Sequence, residues 1–292
     1  MKYFNRYTQQ IEMEDIPGKN GLIFLYDTVF GNYVVEFLIK KPWFSRLAAV
    51  WANSKFSKRR IARFIQTYHI DMSPFEACDY LHFNDFFYRK LKEGQRPITK
   101  EKNAICFPAE GRHLGFQNIN DSQTFFIKGK TFNLTQLLGS KEIAKGFQGG
   151  SCVISRLCPI DYHRFHFCCS GIPQKAYTLP GPLYSVNPVA LQRNCRVLEE
   201  NKRSITLLQT EQFGCVANIE VGATFIGSIQ QTYKPNEPVQ MGSEKGYFLF
   251  GGSTVITLFE SGRVQLADDL LQCTRKGLEL FAHVRDFMGK WS

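Results

Sequence analysis

Hydrophobic and polar positions follow two different periods along this chain, and the change falls near Cys106. Before it, apolar residues recur at helical spacing. Phe30, Val34, Phe37 and Leu38 form one set, and Pro42 opens a second with Trp43, Phe44, Leu47 and Trp51. After it, short β-branched and aromatic runs are closed by Gly or Pro: SCVISRL, RSITLLQT, GCVANIEVGA, KGYFLF and STVITLFE. Two short helices interrupt them, one at NLTQLLG with Asn133 as N-cap and Gly139 as its stop, the other over SKEIAKGF. The pattern predicts an α+β protein. Basic helices occupy residues 1–100, and a mostly antiparallel β barrel or sandwich occupies residues 101–292. The pieces do not alternate as βαβ units, and there is no G-x-G-x-x-G and no internal repeat.

Charge changes the picture at the N-terminal helices. The chain carries a formal net charge of +10, which favours an anionic partner. Lys40, Lys41, Arg46, Lys55, Lys58, Arg59, Arg60 and Arg63 crowd the same region as the Trp and Phe positions. That combination reads as an interfacial membrane helix, or as an amphipathic helix packed on its own domain with a solvated basic face. No zinc-finger, RNP or phosphate-loop signature supports nucleic acid as the partner. No stretch of 18 uncharged apolar residues predicts a spanning helix, and MKYFNRYTQQ lacks the apolar core of a secretory signal. The nine cysteines are scattered without a C-x-x-C pair, so they are expected to be reduced and mostly buried in a cytoplasmic protein.

Candidate chemistry lies in three polar islands of the β-rich region: FPAEGR (Phe107 to Arg112), DYHRFH (Asp161 to His166) and the Gly252-Ser253 junction before STVITLFE. Carboxylate, imidazole and hydroxyl are the groups of a nucleophile, base and orienter set. Each island also has a plainer reading: a turn at Pro-Ala-Glu-Gly, a core histidine beside aromatics, a Gly-Gly-Ser turn. His163 and His166 with Glu110 and His113 are a conceivable metal set. On a strand, however, positions i and i+3 point to opposite faces. The same parity gives the two histidines different tasks.

In this order and at these distances, the islands resemble the phosphatidylserine decarboxylase family. FNDFFYRKLK followed by RPI, PAEG, IKGKTFNLTQLLG, DYHRFH, LYSVNP, NKR, VGATFIGSI and FGGSTV carry the resemblance over most of the chain. It implies a proenzyme that cuts itself between Gly252 and Ser253, with His166 deprotonating Ser253 and Glu110 orienting His166. Ser253 then becomes a covalent pyruvoyl cofactor, an electron sink like PLP, and no metal is needed. His163 assists decarboxylation of phosphatidylserine to phosphatidylethanolamine and CO2 or positions the substrate. Arg164 either neutralises an anionic group or makes a structural ion pair. The fragments remain as a heterodimer, with further dimerisation open, peripheral on the cytoplasmic face of an anionic membrane. Glu110 stands where the family has Asp, one methylene shorter, which leaves an unprocessed lipid-binding homologue as an alternative. A pyruvoyl decarboxylase of a free amino acid is another. A serine hydrolase ranks lowest, because no G-x-S-x-G elbow is present.

Overall fold

The computed structural model describes residues 2–15, 17–119, 133–186, 191, 196–224, 229–251 and 253–292. Gly252, Cys195, and parts of the IKGKTFNLTQLLG, LYSVNP and VGATFIGSI stretches lie outside the described residues.

The β-branched runs form the strands their composition predicts. Ser151–Leu157, Arg203–Gln209, Cys215–Val221 and Ser253–Phe259 lie side by side and antiparallel, with Ser253–Phe259 bonded on both edges. All seven residues of Ser253–Phe259 are buried, so this strand reads as a continuous apolar and hydroxyl run instead of an alternating one. Parity still divides its faces. Ile256 and Leu258 pack with Leu137, Ile154, Ile205 and Ile219, whereas Val255 packs with Ala109, Leu157, Phe165 and Phe248.

The full sheet runs from Gln10–Met13 through Lys2–Asn5, Glu279–Ala282, Gly111–Phe116, Ser151–Leu157, Ser253–Phe259, Cys215–Val221 and Arg203–Gln209 to Ile172–Pro173. Two three-stranded sheets accompany it. The architecture is therefore mixed α+β with a large, mostly antiparallel sheet. Among the described residues the sheet does not close into the expected barrel. One edge is a four-residue hairpin arm, and the other ends in two residues, one of them Pro173, which has no N–H to extend a ladder. The helical pattern near the N-terminus also did not foretell the Lys2–Asn5 strand, which pairs in parallel with Glu279–Ala282.

Helices α1 (Lys19–Asp27), α2 (Val29–Val34), α3 (Pro42–Ala52), α4 (Ile61–Thr67) and α5 (Phe83–Phe87) follow. A π-helical turn continues α2 over Val35–Ile39, and Pro42 sits in the first turn of α3, where its missing N–H costs nothing. The apolar stripe read from the sequence faces outward. Phe30 is 68% exposed, Phe37 66%, Leu47 61% and Trp43 48%, while Val35, Ile39, Ser45 and Ala52 make the inward contacts. Later in the chain, Leu134–Leu138 starts at Asn133, whose side chain accepts the Gln136 N–H at 2.9 Å, and stops at Gly139 in the left-handed region. Of the eight described cysteines, six are buried, and all eight are free.

A buried ionic cluster holds the N-terminal segment to the sheet. Arg156 donates to both oxygens of Glu14 at 2.9 Å and to Glu279 at 2.9 and 2.6 Å; Arg112 reaches Glu14 at 3.4 Å and also pairs with Asp161. Burial opposes ionisation of Glu14, yet the Arg156 and Arg112 charges hold its carboxyl below the usual range. Removing one partner strands the others in a desolvated site. Arg156→Leu is expected to lower the unfolding free energy by about 3–5 kcal/mol, measured as a reduced urea midpoint. A midpoint equal to wild type would show that Glu14 and Glu279 find other partners.

Candidate active site

The three polar islands meet at the start of the central strand. Ser253 is its first residue, stands opposite Leu157, and is fully buried with no hydrogen-bond partner for Oγ. Two positions before Val255, it shares that residue's face, covered by Ala109 of the first island and Phe165 of the second. Backbone bonds stitch the islands together. His166 N–H donates to the Pro108 carbonyl at 2.7 Å, and Phe248 N–H donates to the His163 carbonyl at 3.0 Å. Upstream of Ser253, Gly251 is buried at φ 143°, a backbone angle that favours glycine.

The two histidines are held differently. His163 Nδ1 lies 3.0 Å from the Asp161 carbonyl, which can only accept, so Nδ1 carries the proton and Nε2 a lone pair. That Nε2 is buried without a partner, and the ring lies against Phe87 at a centroid distance of 3.8 Å. Burial pushes the His163 pKa down to about 3; the carbonyl bond opposes this and the Arg89 charge adds to it. His166 Nδ1 donates to the Gly242 carbonyl at 2.9 Å, which leaves Nε2 to accept the Tyr162 hydroxyl at 3.2 Å. Burial likewise takes its pKa to about 3, with the Arg285 charge reinforcing the shift. Both rings are therefore neutral bases, one with a bare lone pair and one capped by a phenol.

Glu110 does not reach His166. It is 6% exposed and accepts from Arg96 Nε at 2.7 Å and Nη2 at 3.3 Å. Its backbone is close to His166, two residues past Pro108, but the Gly242 carbonyl holds Nδ1, the orienting place that the sequence assigned to the carboxylate. Glu110 instead lines a cavity of about 310 Å³ with Arg89, Arg96, Asp161 and His283. Arg164 makes a bidentate pair with Glu244 at 2.9 and 2.8 Å, donates to the Tyr88 carbonyl, and lies 5.7 and 5.2 Å from the centroids of the contacting Tyr88 and Tyr247 rings. It is a structural ion pair here. His113 bonds Ser155 and the Ala282 carbonyl, and no group of three His, Cys, Asp or Glu could hold a metal ion among the described residues.

Sequence reasoning passed over four neighbours of the site. Tyr162 lies inside DYHRFH but was overlooked beside the histidines. Lys245 and Glu220 form a fully buried pair at 2.8 and 2.9 Å, and Glu220 is registered opposite Val255, on the face of Ser253. A charge within each of two strand runs, KGYFLF and GCVANIEVGA, was the available signal. Asn84, a lone amide among the aromatics of FNDFF, is fully buried and accepts the Phe250 N–H at 2.5 Å.

The phosphatidylserine decarboxylase family profile matches residues 83–277. The phosphatidylserine decarboxylase proenzyme of Clostridium novyi is 41% identical over 281 residues, covering 96% of this chain and 95% of that protein. The proenzyme of the same name from Fusobacterium nucleatum is 41% identical over 292 residues, covering 99% of this chain and 96% of that one. With its three polar islands gathered at Ser253 and this similarity running the length of the chain, the protein belongs to the phosphatidylserine decarboxylase family.

Proposed function

We propose that this chain is a proenzyme that cuts itself between Gly252 and Ser253 and then decarboxylates phosphatidylserine to phosphatidylethanolamine and CO2. The observation that carries the reading is the Ser253 hydroxyl, buried and unbonded at the head of the central strand, on the face covered by Ala109 and Phe165 of the other two islands. Thr254 and Thr257 of the same strand are also unbonded, so what sets Ser253 apart is its place as the strand's first residue, directly after two glycines.

In maturation, the Tyr162 hydroxyl turns away and His166 Nε2 takes the Ser253 proton. Oγ bonds the Gly252 carbonyl carbon, and the C–N bond breaks with a proton delivered to the amine. Loss of the Ser253 α-proton then breaks Cβ–Oγ, releasing a chain that ends in the Gly252 carboxylate. Water converts the remaining enamine to a ketone and ammonia, so the downstream fragment begins with a pyruvoyl group. Glycine at 252 leaves the attacked carbonyl uncrowded. Glu110 acts on this site through Arg96 and the local field, without a bond to His166.

The pyruvoyl group supplies the sink for the electron pair left when CO2 departs. His163 Nε2, bare and facing no protein partner, would relay a proton from water to the substrate α-carbon once CO2 has left. Phe87, Phe165 and Phe248 keep water from the reacting atoms. Cleavage would not separate the fragments. The strand that begins at Ser253 is bonded to Ser151–Leu157 and Cys215–Val221, and Glu279–Ala282 to Gly111–Phe116, all three pairings crossing from one fragment to the other.

The outward apolar face favours a lipid substrate over a free amino acid. Phe24, Phe30, Tyr33, Phe37, Trp43 and Leu47 are exposed among the lysines and arginines of residues 40–63. We read this face as the peripheral docking surface for an anionic bilayer, each basic residue near the surface contributing roughly 1 kcal/mol.

Denaturing mass spectrometry of wild type is expected to give two fragments, the smaller refractory to Edman degradation, and Ser253→Ala a single 33.6 kDa chain without activity. An intact wild-type chain that releases CO2 from phosphatidylserine would sink the pyruvoyl mechanism. An ordinary imidazole protonates near pH 6.5, but His166 stays neutral until the pH approaches about 3. The self-cleavage rate of freshly synthesised precursor should therefore be level from pH 8 to pH 5; a rate that halves near pH 6.5 counts against His166 in its buried setting. In vesicle sedimentation, binding to anionic lipid should fall steeply by 1 M salt, where the Debye length is about 3 Å. Phe37→Asp with Leu47→Asp should remove the residue left by the apolar face. Equal binding to neutral and anionic vesicles would reject the basic surface.

A further inference from the structure

Cleavage requires both sides of the Gly252–Ser253 bond to be held. The strand ladder holds the downstream side. Upstream come two glycines without side chains, so Phe250 is the nearest residue that can be gripped by its side chain. Its N–H donates to Asn84 Oδ1 at 2.5 Å. Its ring packs against Trp51 at 6.3 Å, edge-on to Phe83 at 5.0 Å and edge-on to Phe87 at 5.4 Å.

Asn84 is itself fixed. It is fully buried, and its Nδ2 donates to Asn53 Oδ1 at 2.9 Å, which determines that its oxygen faces Phe250. Asn53 caps α3, its own N–H on the Ala49 carbonyl at 2.9 Å, while Phe83 N–H at the head of α5 donates to Ser57 Oγ at 2.8 Å. Two amides in series thus connect the end of α3 to the backbone three residues before Ser253. Phe87 touches Phe250 with one side of its surroundings and His163 with the other.

We propose that Asn84 is the positioning residue for the upstream side of the scissile bond, and that the Trp51, Phe83 and Phe87 rings retain the new C-terminal tail, residues 250–252, after the cut. This rests on the processing reading given above. Without Asn84, the glycines leave the Gly252 carbonyl free to swing from Oγ. A displacement of about 1 Å at a reacting centre costs on the order of 10²-fold in rate. After cleavage, the same grip keeps Phe250 against Phe87, the ring that covers His163.

The test uses the full chain with three substitutions. Asn84→Ala removes both bonds. Asn84→Asp keeps the acceptor for Phe250 but turns an oxygen toward Asn53 Oδ1. Asn53→Ala leaves Asn84 and Phe250 untouched while releasing the amide's orientation. Asn84→Ala is expected to slow disappearance of intact precursor by about 10²-fold, with Asn84→Asp and Asn53→Ala intermediate, and with thermal midpoints close to wild type. In uncut Ser253→Ala protein, exchange of the Phe250 amide hydrogen should quicken several-fold on adding Asn84→Ala. In processed enzyme, carboxypeptidase should trim the larger fragment faster in the Asn84 variants than in wild type. Wild-type cleavage rates in the variants, or unchanged Phe250 exchange, overturn the proposal. Should Asn84→Ala not fold, Asn53→Ala decides by the same readouts. A wild-type chain that never cuts refutes processing, and the positioning role with it. Exchange in the Ser253→Ala background then still reports whether the clamp exists, so the two failures are told apart.

Discussion

The Ser253–Phe259 strand is bonded along both edges and buried on both faces, and its first residue is the nucleophile of the self-cleavage proposed above. A strand in that position has nowhere to move. Its partners are fixed by a ladder on each side, and its side chains by cores above and below. Placing the nucleophile at its first residue lets the chain be broken there without disturbing the fold, because cleavage removes a connection upstream and no rung of the ladder. The same placement explains why the two fragments would stay assembled. The smaller one holds the strand at the middle of the sheet and another, Glu279–Ala282, farther along it.

Burial has a second consequence, for charge. In the same enclosed region the histidines lose their protons and the arginines keep theirs, because neutral imidazole is the cheaper form in a dry site while guanidinium finds carboxylates. The acidic residues are accordingly consumed in pairs: Glu14 and Glu279 by Arg156, Asp161 by Arg112, Glu110 by Arg96 and Glu220 by Lys245. None of these carboxylates bonds a catalytic histidine. At His166 the Gly242 carbonyl takes the orienting place on Nδ1, and the phenol of Tyr162 caps Nε2. A hydroxyl costs less to bury than a carboxylate and can turn its hydrogen away, whereas an ionised partner would raise the imidazole pKa.

What was legible in the sequence followed from local rules. The strands from Ser151, Arg203, Cys215 and Ser253 were readable because β-branched runs bounded by turns leave little choice. The cap at Asn133 and the stop at Gly139 depend on side chains within a few residues. The convergence of the three islands was visible only through family resemblance, since no local rule brings residues 109, 165 and 253 together. Partner choice was not legible at all. Glu110 could meet His166 or an arginine, and nothing within PAEG says that Arg96, fourteen positions away and at φ 53°, turns its fork inward. The closing of the sheet was equally invisible, because it depends on whether edge strands as short as Ile172–Pro173 can find one another.

The apolar stripe of the N-terminal helices has two readings, a membrane-facing helix and a helix packed on its own domain. Helical periodicity identifies a face that avoids water, and in a globular domain that face turns inward. Here Phe30, Phe37, Trp43 and Leu47 turn outward, and the inward contacts fall to Val35, Ile39, Ser45 and Ala52, smaller or shorter side chains that let α2 and α3 lie close to their neighbours. On the docking reading proposed above, this exposed face of large apolar residues is the one that meets a second apolar phase. Trp51 then stands at the junction. It is 40% exposed on one side, and on the other it touches Phe83 and Phe250, which lead through Phe87 to His163. Aromatic contacts thus run without interruption from the exposed face to the imidazole. On that reading, a lipid meeting the face would have an unbroken apolar route as far as the ring against His163.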